Sequence, residues 1–78
     1  MTIDQLSVFV ENKAGKLAEI TAVLADEGID IRAMSIADTK DFGILRLIVN
    51  DAEKAVSALK REQYIVSVTK VIAVAISD

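Results

Sequence analysis

The sequence predicts an α+β sandwich: a four-stranded antiparallel sheet with two helices on one face. Three observations lead there. Apolar residues switch repeatedly between alternation, the signature of a half-buried strand, and helical spacing. The switches coincide with residues able to start or stop a helix. The segments so marked run strand, helix, strand, strand, helix, strand within 78 residues, room for one domain.

The first strand is read over Ile3–Val10, with Leu6, Val8 and Val10 on one face and Gln5, Ser7 and Phe9 on the other. Phe9 is the odd member, an aromatic on the face that otherwise looks wet. Alternation then gives way to Leu17, Ile20, Val23 and Leu24, the stripe of a helix over Ala14–Glu27. At the switch, Asn12 is a good cap for that helix and Gly15 leaves its backbone open to close approach. First-turn N–H groups have no partner within a helix and carry partial positive charge, which suits a carboxylate or phosphate. Gly28 is placed to end the helix in a left-handed conformation.

The second strand is read over Ile29–Ala37, with Ile29, Ile31, Ala33 and Ser35 facing one way and Asp30, Arg32, Met34 and Ile36 the other. Asp38–Asp41 is a polar turn, and Gly43–Val49 is the third strand. Asn50 or Asp51 then caps a second helix whose narrow stripe is Ala52, Ala55, Val56 and Leu59; Glu53, three residues after Asn50, makes the start resemble a capping box. The last strand spans Ile65–Ile76, and Lys70 interrupts its alternation, which calls for a bulge there or two strands in series.

Two strand–helix–strand units, each a right-handed crossover, pack into the ferredoxin-like βαββαβ arrangement. Both helices then cover one face. Phe9, Met34, Ile36, Ile44, Ile48 and either Val71 or Ile72 are expected on the other, more apolar surface than a monomer usually leaves in water. Something should pack there or extend the sheet edge. Composition agrees: the chain is 53% hydrophobic, above the roughly 45–50% of average domains.

Composition also narrows the chemistry. With no cysteine there is no disulfide and no thiolate site, and with no histidine the commonest general base and transition-metal ligand are missing. No Asp/Glu spacing of the calcium-loop type appears. The net charge of −3 disfavours a nucleic-acid partner. Without a signal peptide or a membrane-length apolar run, the protein is expected in the cytoplasm. The third strand, Ile44-Leu45-Arg46-Leu47-Ile48, lacks the aromatics of an RNA platform, and the first strand–helix loop offers Lys13 and Lys16 but no arginine for phosphate. An enzyme is not expected, and no metal or cofactor is called for.

The segment from Val8 through Asn12, Gly15 and Leu17 to Ile20, followed by Leu24-Ala25-Asp26-Glu27-Gly28-Ile29-Asp30-Ile31, resembles an ACT domain. The resemblance extends over nearly the whole chain, with its specific motif in the first half. It implies a regulatory module that binds an amino acid at a subunit interface, as a homodimer or higher oligomer. The alternative is a structural pairing module with no ligand. Residues matching the family's site are Asn12, Ala14, Gly15, Lys16 and Leu17 in the loop and first turn, with Asp30, Ile31 and Met34 on the second strand. In that reading first-turn N–H groups receive the α-carboxylate, Asp30 pairs with the α-ammonium and Asn12 adds a hydrogen bond.

The sequence departs from the family at Ala14, where many members have proline, and at Val10, where some serine-binding members have histidine. Asp30 often reads asparagine in relatives. Val74-Ala75-Ile76-Ser77-Asp78 resembles a further first strand running into its loop. Residues 1–78 are therefore read as one domain, with 71–78 either opening a second repeat or pairing with a partner.

Overall fold

The computed structural model describes residues 2–11, 13–38 and 41–72. The elements are β1 (Thr2–Val10), α1 (Lys13–Asp26), β2 (Ile31–Asp38), β3 (Gly43–Val49), α2 (Ala52–Arg61) and β4 (Val66–Ile72). The sheet order is β2-β3-β1-β4, antiparallel throughout, which is the ferredoxin-like arrangement. Because β1 and β2 are both antiparallel to β3, they run in the same direction.

The inward face obeys the alternation. Leu6, Val8 and Val10 of β1 and Leu45, Leu47 and Val49 of β3 are buried, and Ile20 and Leu24 of α1 and Ala55 and Leu59 of α2 close over them. α1 ends where Gly28 takes a φ of 70°, with the Ile29 N–H bonded to the Leu24 carbonyl at 2.9 Å. At α2 the two candidate caps divide the work. Asp51 accepts the Lys54 N–H at 3.1 Å, while Asn50 turns its side-chain oxygen to the Asp30 N–H at 3.0 Å.

Three expectations are corrected. β2 begins at Ile31, and Ile29 is a buried core residue in the preceding turn. No bulge occurs at Lys70, since β4 pairs with β1 without interruption and Lys70 stands opposite Asp4. The ion pair of these two at 2.8 Å supplies the reason for a lysine there. The bulge lies instead in β2, between Ile31 and Ala33.

That bulge reverses the facing of the rest of β2. Met34 stands opposite Leu47 and Ile36 opposite Leu45, both inward residues, so Met34 and Ile36 lie on the helix side of the sheet. The open face is therefore less apolar than expected. It carries Phe9, Ile44, Ile48 and Val71 with Ile3, but the row running Ser35, Arg46, Ser7, Ser67 across the strands is polar. Phe9 meets Phe42 with ring centroids 5.1 Å apart. The proposed continuation of β4 beyond Ile72 lies outside the described residues.

Candidate functional site

The helices cover the central strands β1 and β3, and α2 also packs against the edge strand β4. Beside α1, strand β2 projects as an uncovered ledge on which Met34 is 56% and Ile36 41% exposed. Leu17 of α1, Met34, Ser35 and Ile36 of β2 and the buried Leu45 of β3 line a hollow of about 180 Å³. Ser35 stands opposite Arg46 and so turns its side chain to the other face of the sheet. The walls thus present apolar side chains and backbone.

The helix face above this ledge is small and apolar. Lys16, Glu19 and Glu27 mark the side of α1 toward Tyr64 and α2, where Glu27 is ion-paired with Arg61. Ala18, Ala22 and Ala25 lie on the opposite side and are exposed. Thr21, between them, returns its hydroxyl to the Leu17 and Ala18 carbonyls at 3.1 and 3.0 Å.

The residues expected to form the site fall into three groups. Asn12 and the side chain of Ala14 lie outside the described residues. Gly15, Lys16 and Leu17 occupy the first turns of α1, at the end of the sheet where β1 stops. Leu17 and Met34 meet in the apolar hollow. Lys16 leans the other way: its ammonium lies 3.1 Å from Glu19 and 5.9 Å from the centre of the Tyr64 ring. The Glu19 carboxylate holds the Lys16 pKa above the usual lysine value.

Asp30 and Ile31 stand apart from these. β2 runs parallel to β1, so its start lies at the end of the sheet opposite the α1 N-terminus. The 14 residues of α1 separate the two ends, about 21 Å at 1.5 Å per residue. Reciprocal bonds hold Asp30 to Asn50: its N–H reaches the Asn50 side chain, and its carbonyl accepts the Asn50 N–H at 3.2 Å. Ile31 is half-buried against Val49 and the core.

Among the described residues nothing requires glycine at position 15. Its φ is not positive, and an added Cβ would meet nothing within 4 Å. Glycine in a helix is about 0.5–1 kcal/mol worse than alanine, a cost that packing within the described residues does not explain.

Sequence reading missed Tyr64, the only tyrosine. With Phe9, Glu11, Lys16, Gln63 and Ile65 it lines a second hollow, of about 220 Å³, on the β4 side of the α1 N-terminus. Burial pushes its phenol pKa up, and the nearby Glu19 carboxylate adds to this. Only the juxtaposition of the β1–α1 and α2–β4 turns reveals this hollow. A larger one, about 420 Å³, lies far from the first turn of α1 between α2 and β4; of its carboxylates, Asp4 is already paired with Lys70. Among the described residues no cluster of His, Cys, Asp or Glu could hold a metal, and no helix is long and apolar enough to cross a membrane.

The family model described as an ACT domain pair matches residues 1–78. Protein BT0572 of Bacteroides thetaiotaomicron is similar in structure, with a TM-score of 0.87 and 51% identity over 90% of this chain and 49% of its own. The ACT domain of prephenate dehydrogenase from Bacillus anthracis superposes with a TM-score of 0.73 at 34% identity, covering 81% of this chain and 99% of that one. The regulatory subunit of aspartate kinase from Thermus thermophilus, at 16% identity and a TM-score of 0.70 over 90% of this chain and 50% of its own, shares the fold. The chain thus spans about half the length of BT0572 and of that regulatory subunit. No curated protein matches the sequence.

Proposed function

Because the chain belongs to the ACT domain family, we propose that it is a non-catalytic, cytoplasmic regulatory domain that senses an amino acid between two paired domains. The separation of the predicted ligand residues carries this reading. Gly15 and Asp30 lie at opposite ends of one domain, too far apart for one amino acid to span. Pairing two β2 edges antiparallel about a two-fold axis removes the difficulty. The start of each β2 then lies beside the end of the other, and Asp30 of the partner subunit approaches the first turn of α1.

The α1–β2 flank suits such pairing. Among the described residues β2 is bonded on one side only, to β3, and the exposed Ala18, Ala22 and Ala25 let a second helix approach closely. In the paired state the α-carboxylate is received by first-turn N–H groups near Gly15 and Lys16, and the α-ammonium by Asp30. Asn12 contributes a hydrogen bond from the loop.

Thermal unfolding against the twenty amino acids, with sedimentation of the free protein, tests this. A ligand at a hundred times its dissociation constant adds about 2.7 kcal/mol. Asn12→Ala and Asp30→Ala should abolish that gain and leave the dimer intact. The alanine face also favours a second reading, a pairing module with no ligand, because it accounts for association by itself. A dimer that no amino acid stabilises at millimolar concentration is the result that reading expects.

A further inference from the structure

We infer that the site takes an amino acid with an apolar side chain, of leucine, isoleucine, methionine or phenylalanine type, and that the side chain enters the hollow between Leu17, Met34 and Ile36. The inference rests on the proposed amino-acid site and specifies its ligand.

The hollow is in the right place. Side chains on a helix lean toward its N-terminus, so Leu17, two residues beyond Gly15, leans toward the first turn. Ile36 and Leu45 share a row with Val8, near the end of β1 from which α1 departs. The hollow therefore opens directly below the turn that receives the carboxylate. A ligand held there by its main-chain groups has its Cβ at the mouth of this hollow.

Its size and chemistry fit as well. At about 180 Å³ the hollow is smaller than the roughly 300–1,000 Å³ of pockets that hold a whole drug-sized ligand. It suits one side chain. Leu17, Met34, Ile36 and Leu45 offer no polar side-chain atom, and Ser35 points its hydroxyl to the opposite face of the sheet. A hydroxyl, carboxylate or ammonium placed there gains no side-chain partner and loses water. Each methylene buried there is worth about fourfold in affinity. Gly15 adds a second indication: its Cβ position opens to free space, so the backbone on this turn is accessible from outside the chain. The other hollow at this end adds Glu11, Lys16, Gln63 and the Tyr64 hydroxyl to the apolar Phe9 and Ile65, and so offers partners to a polar or charged side chain instead.

Titration calorimetry on the whole chain with Leu, Ile, Met, Phe, Ala, Ser, Asp and Lys decides between them. Leu, Ile, Met or Phe should bind at least about tenfold more tightly than Ser, Asp or Lys. Ile36→Thr and Met34→Thr alter exposed positions and should lower the leucine-to-alanine affinity ratio at least about fourfold. Weakened pairing would lower both affinities alike and leave that ratio unchanged. Tighter binding of Ser, Asp or Lys overturns the inference while leaving an amino-acid sensor in place. An unchanged leucine-to-alanine ratio in both variants overturns the placement of the side chain. Binding of no amino acid overturns the sensor reading, and the inference with it.

Discussion

The two flanks of the molecule are built on the same plan and finished differently. Each consists of a helix beside an edge strand, α1 with β2 and α2 with β4. The outward face of α2 carries Glu53, Lys54, Lys60 and Arg61, while the helix side of its edge strand exposes Val68 and Ile72 beside Lys70, so the contrast lies in the helices. The outward face of α1 carries Ala18, Ala22 and Ala25 above Met34 and Ile36. Long charged side chains keep a surface hydrated; alanines leave it with little that another surface must desolvate. The helix ends differ too. Gly28 terminates α1 at a φ of 70°, whereas Gln63 comes after α2 at 69°, a left-handed conformation that only glycine adopts without cost.

The largest expected effect tests whether only the α1 flank associates. Ala22→Glu should weaken self-association at least about a hundredfold. Ser57→Glu on the exposed face of α2 should leave it unchanged; sedimentation equilibrium reads both. Equal sensitivity of the two helices would erase the distinction.

A more modest effect is expected at the helix ends. Gln63→Gly should stabilise the fold by about 1 kcal/mol and Gly28→Ala should destabilise it by about as much. Urea unfolding measures both, and a loss of stability in Gln63→Gly would show that Gln63 bears no conformational cost at that φ.

A smaller change is expected at Gly15. Gly15→Ala should raise the stability of the ligand-free protein by about 0.5 kcal/mol, because helix propensity improves and the new methyl meets nothing. If the turn serves a ligand, amino-acid binding should weaken in the same variant. A gain in both properties would remove Gly15 from the site.

The smallest effect concerns alkaline pH. Tyr64 and Lys16 both have raised pKa values in the folded state, the first mainly through burial and the second mainly through its hydrogen bond to Glu19. A raised pKa means that the protonated form is favoured by folding. Its stabilising contribution is complete below the unfolded values near 10 and 10.5 and is lost as pH rises through the folded ones. The melting temperature should therefore fall more steeply above about pH 10 in the parent than in Tyr64→Phe. Tyr64 is the only tyrosine and there is no tryptophan, so phenolate absorbance tracks the same event directly.

Much of this molecule was legible one residue at a time. Leu6, Val8 and Val10 declared the inward face of β1, Ile20 and Leu24 that of α1, and Gly28 its end. All depend on local periodicity or on a conformation only glycine accepts freely. The apolar character of Leu17 and Met34 was equally visible, but not their meeting in one hollow.

What the sequence determined alone is the order of elements, the core stripes and the family motif around Gly15. The tertiary structure decided the rest. A bulge inserts one residue into a strand and requires no particular residue type, so nothing at Arg32 announced that Met34 and Ile36 would turn to the helix side. Asn50 and Asp51 are equally good caps by residue type; the arrival of Asp30 beside β3 assigned them different partners. The distance between Gly15 and Asp30 is likewise a product of chain direction. Each crossover returns the chain to the opposite end of the sheet, so residues 15 positions apart in sequence come to lie a helix length apart in space.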